Sequence, residues 1–270
     1  MSDLNLDVQS KWWGDFDVTH DTKLLLECAD LHLQLVCSDK EWLVKYELAS
    51  NETPHNGKLS YIDIGFDQGE FDKQQRFVFK KLPKQLIIQP ALADRPVICW
   101  STTTVMLLPK QEILLYVTIP LWLQLSISSV KKPLIDIPTV RISDTWFGPN
   151  TQEGVIGYAS RATDQLNADL SENHGLKATI AVKIKNLSNN VLALDKISVP
   201  SPNLDLYVDK SGQFWTRRIT LIKEQDDSAS LTIDEVMTAN LDKKDLTLVA
   251  KARDDLGKNK ITKALWALFG

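Results

Sequence analysis

A two-residue hydrophobic period runs through much of this chain and constrains its fold more than any other feature. In Leu31–Cys37 the apolar residues occupy every second position, and Trp42–Leu48 repeats the pattern after a short turn. Successive side chains of a β-strand point to opposite faces, so this alternation predicts half-buried strands with one polar face. Because Leu24–Cys28 continues the pattern, we predict an antiparallel meander over residues 23–48.

The same alternation indicates strands elsewhere in the chain. The clearest is Lys177–Lys185, in which apolar residues alternate with polar ones and Lys183 and Lys185 are expected to face solvent. Further strands are predicted at Arg76–Phe79, Leu86–Gln89, Val97–Trp100, Ile113–Ile119, Leu121–Ile127, Val191–Val199, Leu204–Val208 and Phe214–Lys223. Short strands separated by turns predict a mostly β fold with two antiparallel β-sandwich modules, immunoglobulin-like or jelly-roll.

A proline next to paired charges marks the predicted boundary between the two modules. Lys131, Lys132 and Pro133 suit an exposed connection. We therefore predict an N-terminal module over 1–130, a second module over 131–233, and a linker with a terminal helix over 234–270. A single continuous double sandwich would produce the same strand pattern, and this alternative stays open.

The hydrophobic period changes from two residues to a helical spacing near the end of the chain. Apolar residues recur at that spacing between Ile261 and Phe269, while lysines occupy other positions on the helical wheel. A short amphipathic helix of this kind is marginal in water unless it packs on something. We expect it to dock on the chain's own sandwich or to bind a partner, and the partner-binding candidates are Ile261, Leu265, Trp266, Leu268 and Phe269.

Charge and cysteine usage limit the partners and the compartment. The formal net charge is −4 and the pI is about 5.6, with no concentrated basic segment in the sequence, so nucleic acid is not the expected partner. The first residues lack the basic start and apolar stretch of a signal peptide. Three cysteines, an odd number, fit reduced and buried thiols, and the expected compartment is the cytoplasm.

One uncharged stretch requires a comparison with membrane spans. Ile113–Val130 contains no charged residue, and a bilayer span needs about 20 mostly apolar residues. The stretch contains Pro120 and Gln124, however, and its apolar residues alternate. Two buried strands joined at Pro120 explain it better, so no transmembrane segment is expected.

The densest group of chemically versatile residues lies between residues 141 and 154. It combines charged, aromatic, amide and turn-forming residues, a composition typical of binding loops. The ligand-binding candidates are Arg141, Asp144, Trp146, Phe147, Asn150 and Glu153. In this hypothesis the two aromatic rings form a platform and the charged groups anchor the ligand. The alternative is an elaborate turn, with Asp144 bonding backbone amides and Arg141 paired with Glu153.

The sequence contains no motif that commits the chain to one reaction. Phosphate-binding glycine loops, Gly-x-Ser-x-Gly and histidine ligand spacings are all absent. The acidic residues around Gly65 and Gly69 do not follow the calcium-loop order, so no metal and no cofactor is expected. We therefore expect a chain that is not an enzyme. The weaker alternative is glycoside hydrolysis, with Asp144 and Glu153 as the acid–base pair.

Several strings of residues resemble one family. They are Pro90–Val97, Tyr116–Trp122, Ser143–Gly148, Val199–Pro202 and Phe214–Thr216. Together they are similar to a prokaryotic family catalogued as domain of unknown function 432. These strings carry no established chemistry, so they identify no catalytic residue.

The resemblance spans roughly residues 24–223 and implies a cytoplasmic protein whose gene is associated with small-conductance mechanosensitive channels. It implies an accessory protein that binds the cytoplasmic part of such a channel and is peripheral to the inner membrane through it. The main hypothesis is therefore a non-enzymatic interaction protein. The alternative is a β-sandwich that binds a small molecule or carbohydrate at residues 141–154, either as a binding protein or as a hydrolase. The oligomeric state stays open.

Overall fold

The computed structural model shows a chain dominated by β-strands. It describes residues 6–8, 11–49, 55–62, 71–148, 150, 152–161, 176–225, 228–235, 241, 243–254 and 261–264. These residues fall into two compact units. Those of unit 1 lie within Met1–Ala91, Leu121–Arg141 and His174–Leu176, and those of unit 2 lie within Leu92–Pro120, Ile142–Asn173 and Lys177–Gly270.

Unit 1 is built from two antiparallel sheets. With strands numbered along the whole chain, it contains β1 (Leu6–Val8), β2 (Gly14–Asp17), β3 (Lys23–Ala29), β4 (Leu31–Cys37), β5 (Glu41–Leu48), β6 (His55–Ile62), β7 (Lys73–Val78), β8 (Gln85–Ala91), β11 (Trp122–Ser126) and β12 (Ile135–Pro138). The larger sheet has the order β1-β6-β3-β4-β5-β7, and the smaller has the order β12-β11-β8-β2.

The predicted meander is confirmed. Strands β3, β4 and β5 pair antiparallel in sequence order, and the observed β4 has the bounds that alternation predicts. Along β4 buried and half-buried residues alternate, and Leu33 and Leu35 are almost completely buried. The buried Thr139 supports the turn that joins β3 to β4, because its carbonyl accepts a hydrogen bond from the Asp30 amide.

The described residues of unit 2 form the other strands and two short 3-10 turns. Its strands are β9 (Val97–Leu107), β10 (Glu112–Pro120), β13 (Ser143–Phe147), β14 (Val155–Arg161), β15 (Lys177–Asn186), β16 (Leu192–Val199), β17 (Leu206–Val208), β18 (Phe214–Trp215), β19 (Ile219–Lys223), β20 (Ser228–Ile233), β21 (Thr247–Ala250) and β22 (Ile261–Ala264). The 3-10 turns are Ser201–Asn203 and Lys243–Asp245. One sheet has the order β13-β14-β9-β16, and the other is arranged around β15.

Strand β15 lies at the centre of the larger sheet of unit 2. Its apolar residues, including Ile180 and Ile184, are completely buried, as alternation predicts. On the other face Lys183 and Lys185 approach Glu112 of β10 at 2.9 and 3.5 Å. The Lys183 hydrogen bond is the main cause that lowers the pKa of the Glu112 carboxyl. The pairing of β10 with β15 therefore combines an apolar face with a charged one.

The expectation of purely antiparallel modules is wrong for unit 2. Strand β14 pairs parallel with β9, and β15 pairs parallel with β18 and β19. Parallel neighbours need crossover connections between strands that are distant in sequence, and alternation within one strand carries no information about them.

The prediction of a C-terminal helix is wrong for residues 261–264, which are its first described residues. Residues Ile261–Ala264 form β22, which pairs antiparallel with β20. A free sheet edge offers a full ladder of backbone hydrogen bonds, whereas a short isolated helix is marginal, and Ile261 and Thr262 are β-branched residues that favour strands. The other candidates of that segment, Leu265, Trp266, Leu268 and Phe269, lie outside the described residues.

The uncharged stretch Ile113–Val130 resolves into β10 and β11, as predicted from its alternation. In the part of the chain that the structure describes, no helix has the length and apolarity needed to cross a membrane. The predicted division of the chain into domains at 1–130, 131–233 and 234–270 stays a prediction. The two compact units are each assembled from several separated segments of the chain.

Candidate functional site

The hairpin of β13 and β14 carries most of the ligand-binding candidates, and Asn150 organises its loop. The Asn150 side-chain oxygen accepts hydrogen bonds from the backbone amides of Gln152 and Glu153, each at 2.8 Å. The Trp146 indole N–H donates to the Asn150 carbonyl at 2.7 Å. A Cβ atom on Gly154 would lie 2.6 Å from the Trp146 ring, so the ring packs closely against the returning backbone. The loop is a tightly bonded turn.

The two aromatic candidates point to opposite faces of this hairpin. Trp146 is 46% exposed, whereas Phe147 is 2% exposed. They are successive residues of one strand, whose side chains alternate between faces. A ligand on the open face would therefore contact Trp146 but not Phe147. Phe147 is part of the buried core, and the Lys196 ammonium group lies 6.0 Å from its ring.

The structure gives the charged candidates separate partners. Arg141 belongs to unit 1, where its Nε donates to the Leu48 carbonyl at 2.7 Å and its guanidinium lies 3.9 Å from Asp72. Asp144 belongs to unit 2 and pairs with Arg95 at 3.3 Å. In the loop, Asn150 takes the amide-bonding role that the turn interpretation assigned to Asp144. The ligand-binding and acid–base hypotheses stay predictions.

A polar network next to Asp144 was missed by the sequence analysis. The Tyr158 hydroxyl donates to Asp94 at 2.8 Å, and the Arg95 guanidinium lies 5.3 Å from the Tyr158 ring centre. Burial, followed by the hydrogen bond to Asp94, raises the pKa of Tyr158 to about 12. This network fastens the segment before β9 to the β13–β14 hairpin. The string Pro90–Val97 contains Asp94 and Arg95, but its residue types alone do not indicate Tyr158 as their partner.

The cysteines form no reactive centre among the described residues. Cys28, Cys37 and Cys99 are all buried and unpaired by disulfides. Burial raises the pKa of the Cys28 thiol, and it raises the pKa of Cys37 to about 12. Within the described ranges no three His, Cys, Asp or Glu side chains come together to hold a metal ion. The acidic residues Asp63, Asp67 and Glu70 lie outside those ranges.

A second feature that the sequence analysis missed is a pair of bonded turns at one end of unit 2. This turn pair consists of residues 106–111 and 187–191. The buried Asn186 joins them, because its side-chain amide donates to the carbonyls of Leu107, Leu108 and Asn190 at 3.0, 3.2 and 2.8 Å. Its oxygen accepts from the amide and hydroxyl of Ser188. Every polar atom of the Asn186 side chain is therefore used to fix the two turns.

The turn pair presents large apolar side chains to solvent. They are 41% to 64% exposed and comprise Met106, Leu108, Leu187 and Val191. Single exposed apolar residues are ordinary, but several on two adjoining turns are a feature of interaction surfaces. The sequence string Leu108–Gln111 predicts the first turn without indicating that Leu108 stays uncovered.

The architecture defines an all-β class of protein, in which the described residues form four sheets in two units. Within that class the assignment is specific. The model of the family described as "Protein of unknown function (DUF432)" matches residues 12–269, so the chain belongs to this family, and the membership predicted from its residue strings is confirmed. No curated protein and no solved structure matches the chain.

Proposed function

We propose that this chain is a non-enzymatic accessory protein of the cytoplasm, built on β-sandwich modules, that binds another protein. The partner proposed is a small-conductance mechanosensitive channel, which the family resemblance implies and which would hold the chain at the inner membrane. The observation that supports a binding role is the turn pair, where apolar side chains are exposed on a backbone fixed by Asn186.

The turn pair has the physical properties of a protein contact. Removing apolar surface from water stabilises a complex by about 25 cal/mol per Å². Side chains on a preordered backbone lose less conformational freedom when they bind, because the turn itself does not have to be ordered. Asn186 supplies that order in the free protein. Leu108 and Val191, at 59% and 48% exposure, provide one exposed apolar side chain from each of the two turns.

The test is affinity purification of the chain from detergent-solubilised native membranes. We expect wild type to recover a membrane protein in stoichiometric amount, identified by mass spectrometry as a small-conductance mechanosensitive channel. The double variant Leu108→Glu/Val191→Glu should lower that recovery at least about tenfold, because two charges would be buried without partners. The purified channel should show the same difference in direct binding to the two chains.

Leu248 provides a matched control in the same unit, since it is 45% exposed and lies on β21, outside the turn pair. Leu248→Glu should leave recovery unchanged, and circular dichroism should show all three chains folded. A wild-type chain recovered without any partner would contradict the proposal. Full recovery by the double variant would exclude the turn pair as the contact, and a different stoichiometric partner would exclude the channel.

A further inference from the structure

Unit 1 carries an open cleft that the candidate residues of the sequence analysis do not include. It lies where the end of β7 and the following loop face the segment after β11, Ile127–Val130, and its volume is about 940 Å³. A second cavity of about 740 Å³ is lined in part by Asp39 and Lys40. Both cavities are lined by Asp17, Lys80, Lys81, Pro83 and Lys84, and together they are here called the lysine groove.

The lysine groove is cationic in a chain whose net charge is −4. Five basic side chains line it, against two carboxylates, Asp17 and Asp39. Arg76 is neutralised by Glu41 at 2.5 Å, and Asp39 accepts from His20 at 2.9 Å.

The remaining basic residues of the groove, Lys40, Lys80, Lys81 and Lys84, are exposed. Across the described ranges, none of these four forms an ion pair with a carboxylate. They supply uncompensated positive charge along the length of the groove.

The groove also borders an open sheet edge. Strand β7 is the last strand of the larger sheet of unit 1, with β5 as its one neighbour among the described residues. Its final residue, Val78, is 71% exposed, and Val130 on the opposite wall is 45% exposed. An edge strand presents backbone N–H and C=O groups that can pair with another strand. Apolar, cationic and backbone-bonding groups are therefore adjacent.

We propose that the lysine groove binds an extended acidic segment of a partner protein. The segment adds a strand to the edge of β7 that no described strand occupies, and its carboxylates lie against Lys80, Lys81 and Lys84. Strand addition of this kind takes its affinity from main-chain hydrogen bonds and its specificity from alternate side chains. Exposed lysines beside the edge of a strand fit an extended acidic chain, because one such chain can pair its backbone with β7 and its carboxylates with the lysines. This surface is on a different unit from the turn pair and goes beyond the proposed function.

Fluorescence anisotropy with a labelled ten-residue peptide of alternating glutamate and valine tests the proposal on the full chain. We expect saturable binding that weakens with added salt, and no binding of the lysine–valine counterpart. Lys80→Glu/Lys81→Glu should weaken binding at least about tenfold, because two attractive contacts become repulsive. Lys177→Glu/Lys251→Glu, which makes the same change in net charge on exposed lysines of unit 2, should leave binding within about twofold.

Two N-methylated versions of the glutamate–valine peptide test the strand pairing. Alternate residues of a strand direct their N–H groups to the same neighbour, so one methylation phase should abolish binding and the other should preserve it. Equal binding of both versions would overturn strand addition. If Lys80→Glu/Lys81→Glu and Lys177→Glu/Lys251→Glu lost the same amount of peptide affinity, the lysine groove would be excluded as the binding site. Binding of anionic phospholipid vesicles without binding of the peptide would overturn the proposal in favour of a lipid surface.

Discussion

The meander of unit 1 and the sheet around β15 in unit 2 bury similar apolar residues through different kinds of pairing. Strands β3, β4 and β5 follow one another in the chain, and each pairs antiparallel with the next. Strand β15 pairs with the earlier β10 on one side and with the later β18 and β19, both parallel, on the other. One region is assembled from local contacts and the other from contacts distant in sequence.

The difference teaches where polar side chains are needed. In the meander, short turns set the register of the strands, and burial of the apolar face is sufficient to hold them together. Around β15 the neighbours arrive from distant segments, whose closure costs conformational entropy. Polar side chains join separate segments across unit 2: Asn186, the last residue of β15, joins two turns, and the pairs Tyr158–Asp94 and Arg217–Asp205 join other segments. We therefore expect unit 2 to depend more on polar side-chain contacts than the meander does.

The largest loss of stability is expected when a buried apolar side chain is truncated. Leu33→Ala in the meander and Ile184→Ala in β15 should each lower the free energy of unfolding by about 2–5 kcal/mol, because each leaves a cavity in a closely packed region. The matched control is Leu25→Ala on the half-exposed face of β3, with a loss below about 1 kcal/mol. Chemical denaturation gives these values.

Labelling of the buried thiols reports which region of the protein unfolds locally. Cys28 and Cys37 lie in the meander and Cys99 on β9, so mass spectrometry of thiol labelling distinguishes the units. Leu33→Ala should accelerate labelling of Cys28 and Cys37 more than that of Cys99, since raised pKa values and burial make opening necessary for reaction. Equal acceleration at all three thiols would show that the two regions unfold together and would remove the comparison.

A smaller loss of stability is expected when Asn186 is replaced, and this substitution distinguishes the two regions most directly. Asn186→Ala leaves the carbonyls of Leu107 and Leu108 without their donor, and should cost about 1–3 kcal/mol in the free energy of unfolding. Hydrogen exchange should rise in both turns of the turn pair while the meander keeps its protection.

Asn190→Ala is the matched control, because Asn190 contributes its backbone carbonyl to Asn186 and its side chain is exposed. It should cost less than about 0.5 kcal/mol. If Asn186→Ala were as mild as this control, the turn pair would be held by its backbone alone. The claim that unit 2 depends on polar contacts would then fail.

The same contrast explains how much of the fold the sequence predicts. Strand β4 is predicted to the residue because its alternation is uninterrupted and its neighbours are local. The parallel pairs of β14 with β9 and of β15 with β19 leave no local pattern, and a free edge at β20 converts Ile261–Ala264 into a strand despite its helical spacing. Sequence periodicity describes one strand's faces and does not identify its partner strands.

The candidate site follows the same rule. Turn-forming residues near Asn150 predict a bonded loop, and the structure contains one. The partner of Arg141, the Leu48 carbonyl, is 93 residues away in the chain, and the partner of Tyr158, Asp94, is 64 residues away. Residue types near Arg141 therefore suggest a local ion pair, whereas the fold supplies hydrogen bonds between residues that are distant in sequence.

The smallest expected effect concerns Tyr158 and its pH dependence. Tyr158→Phe removes the hydrogen bond to Asp94 and should cost about 0.5–1.5 kcal/mol at neutral pH. The folded pKa of Tyr158, about 12, lies above its ordinary value of 10.0, so folding favours the protonated hydroxyl. Its contribution to stability is complete below pH 10 and is lost as the pH rises through about 12. The difference between wild type and Tyr158→Phe should therefore shrink over that range.

Absorbance titration of tyrosinate, as the difference between wild type and Tyr158→Phe, measures this pKa directly. Asp94→Asn should lower it only in part, because burial is the larger cause of the shift and the carboxylate the smaller. Titration of Tyr158 near pH 10 in wild type would show that the hydroxyl is solvated. The segment before β9 would then be attached to the β13–β14 hairpin mainly through Arg95 and Asp144, and the polar contacts of unit 2 would be reduced to those around β15 itself.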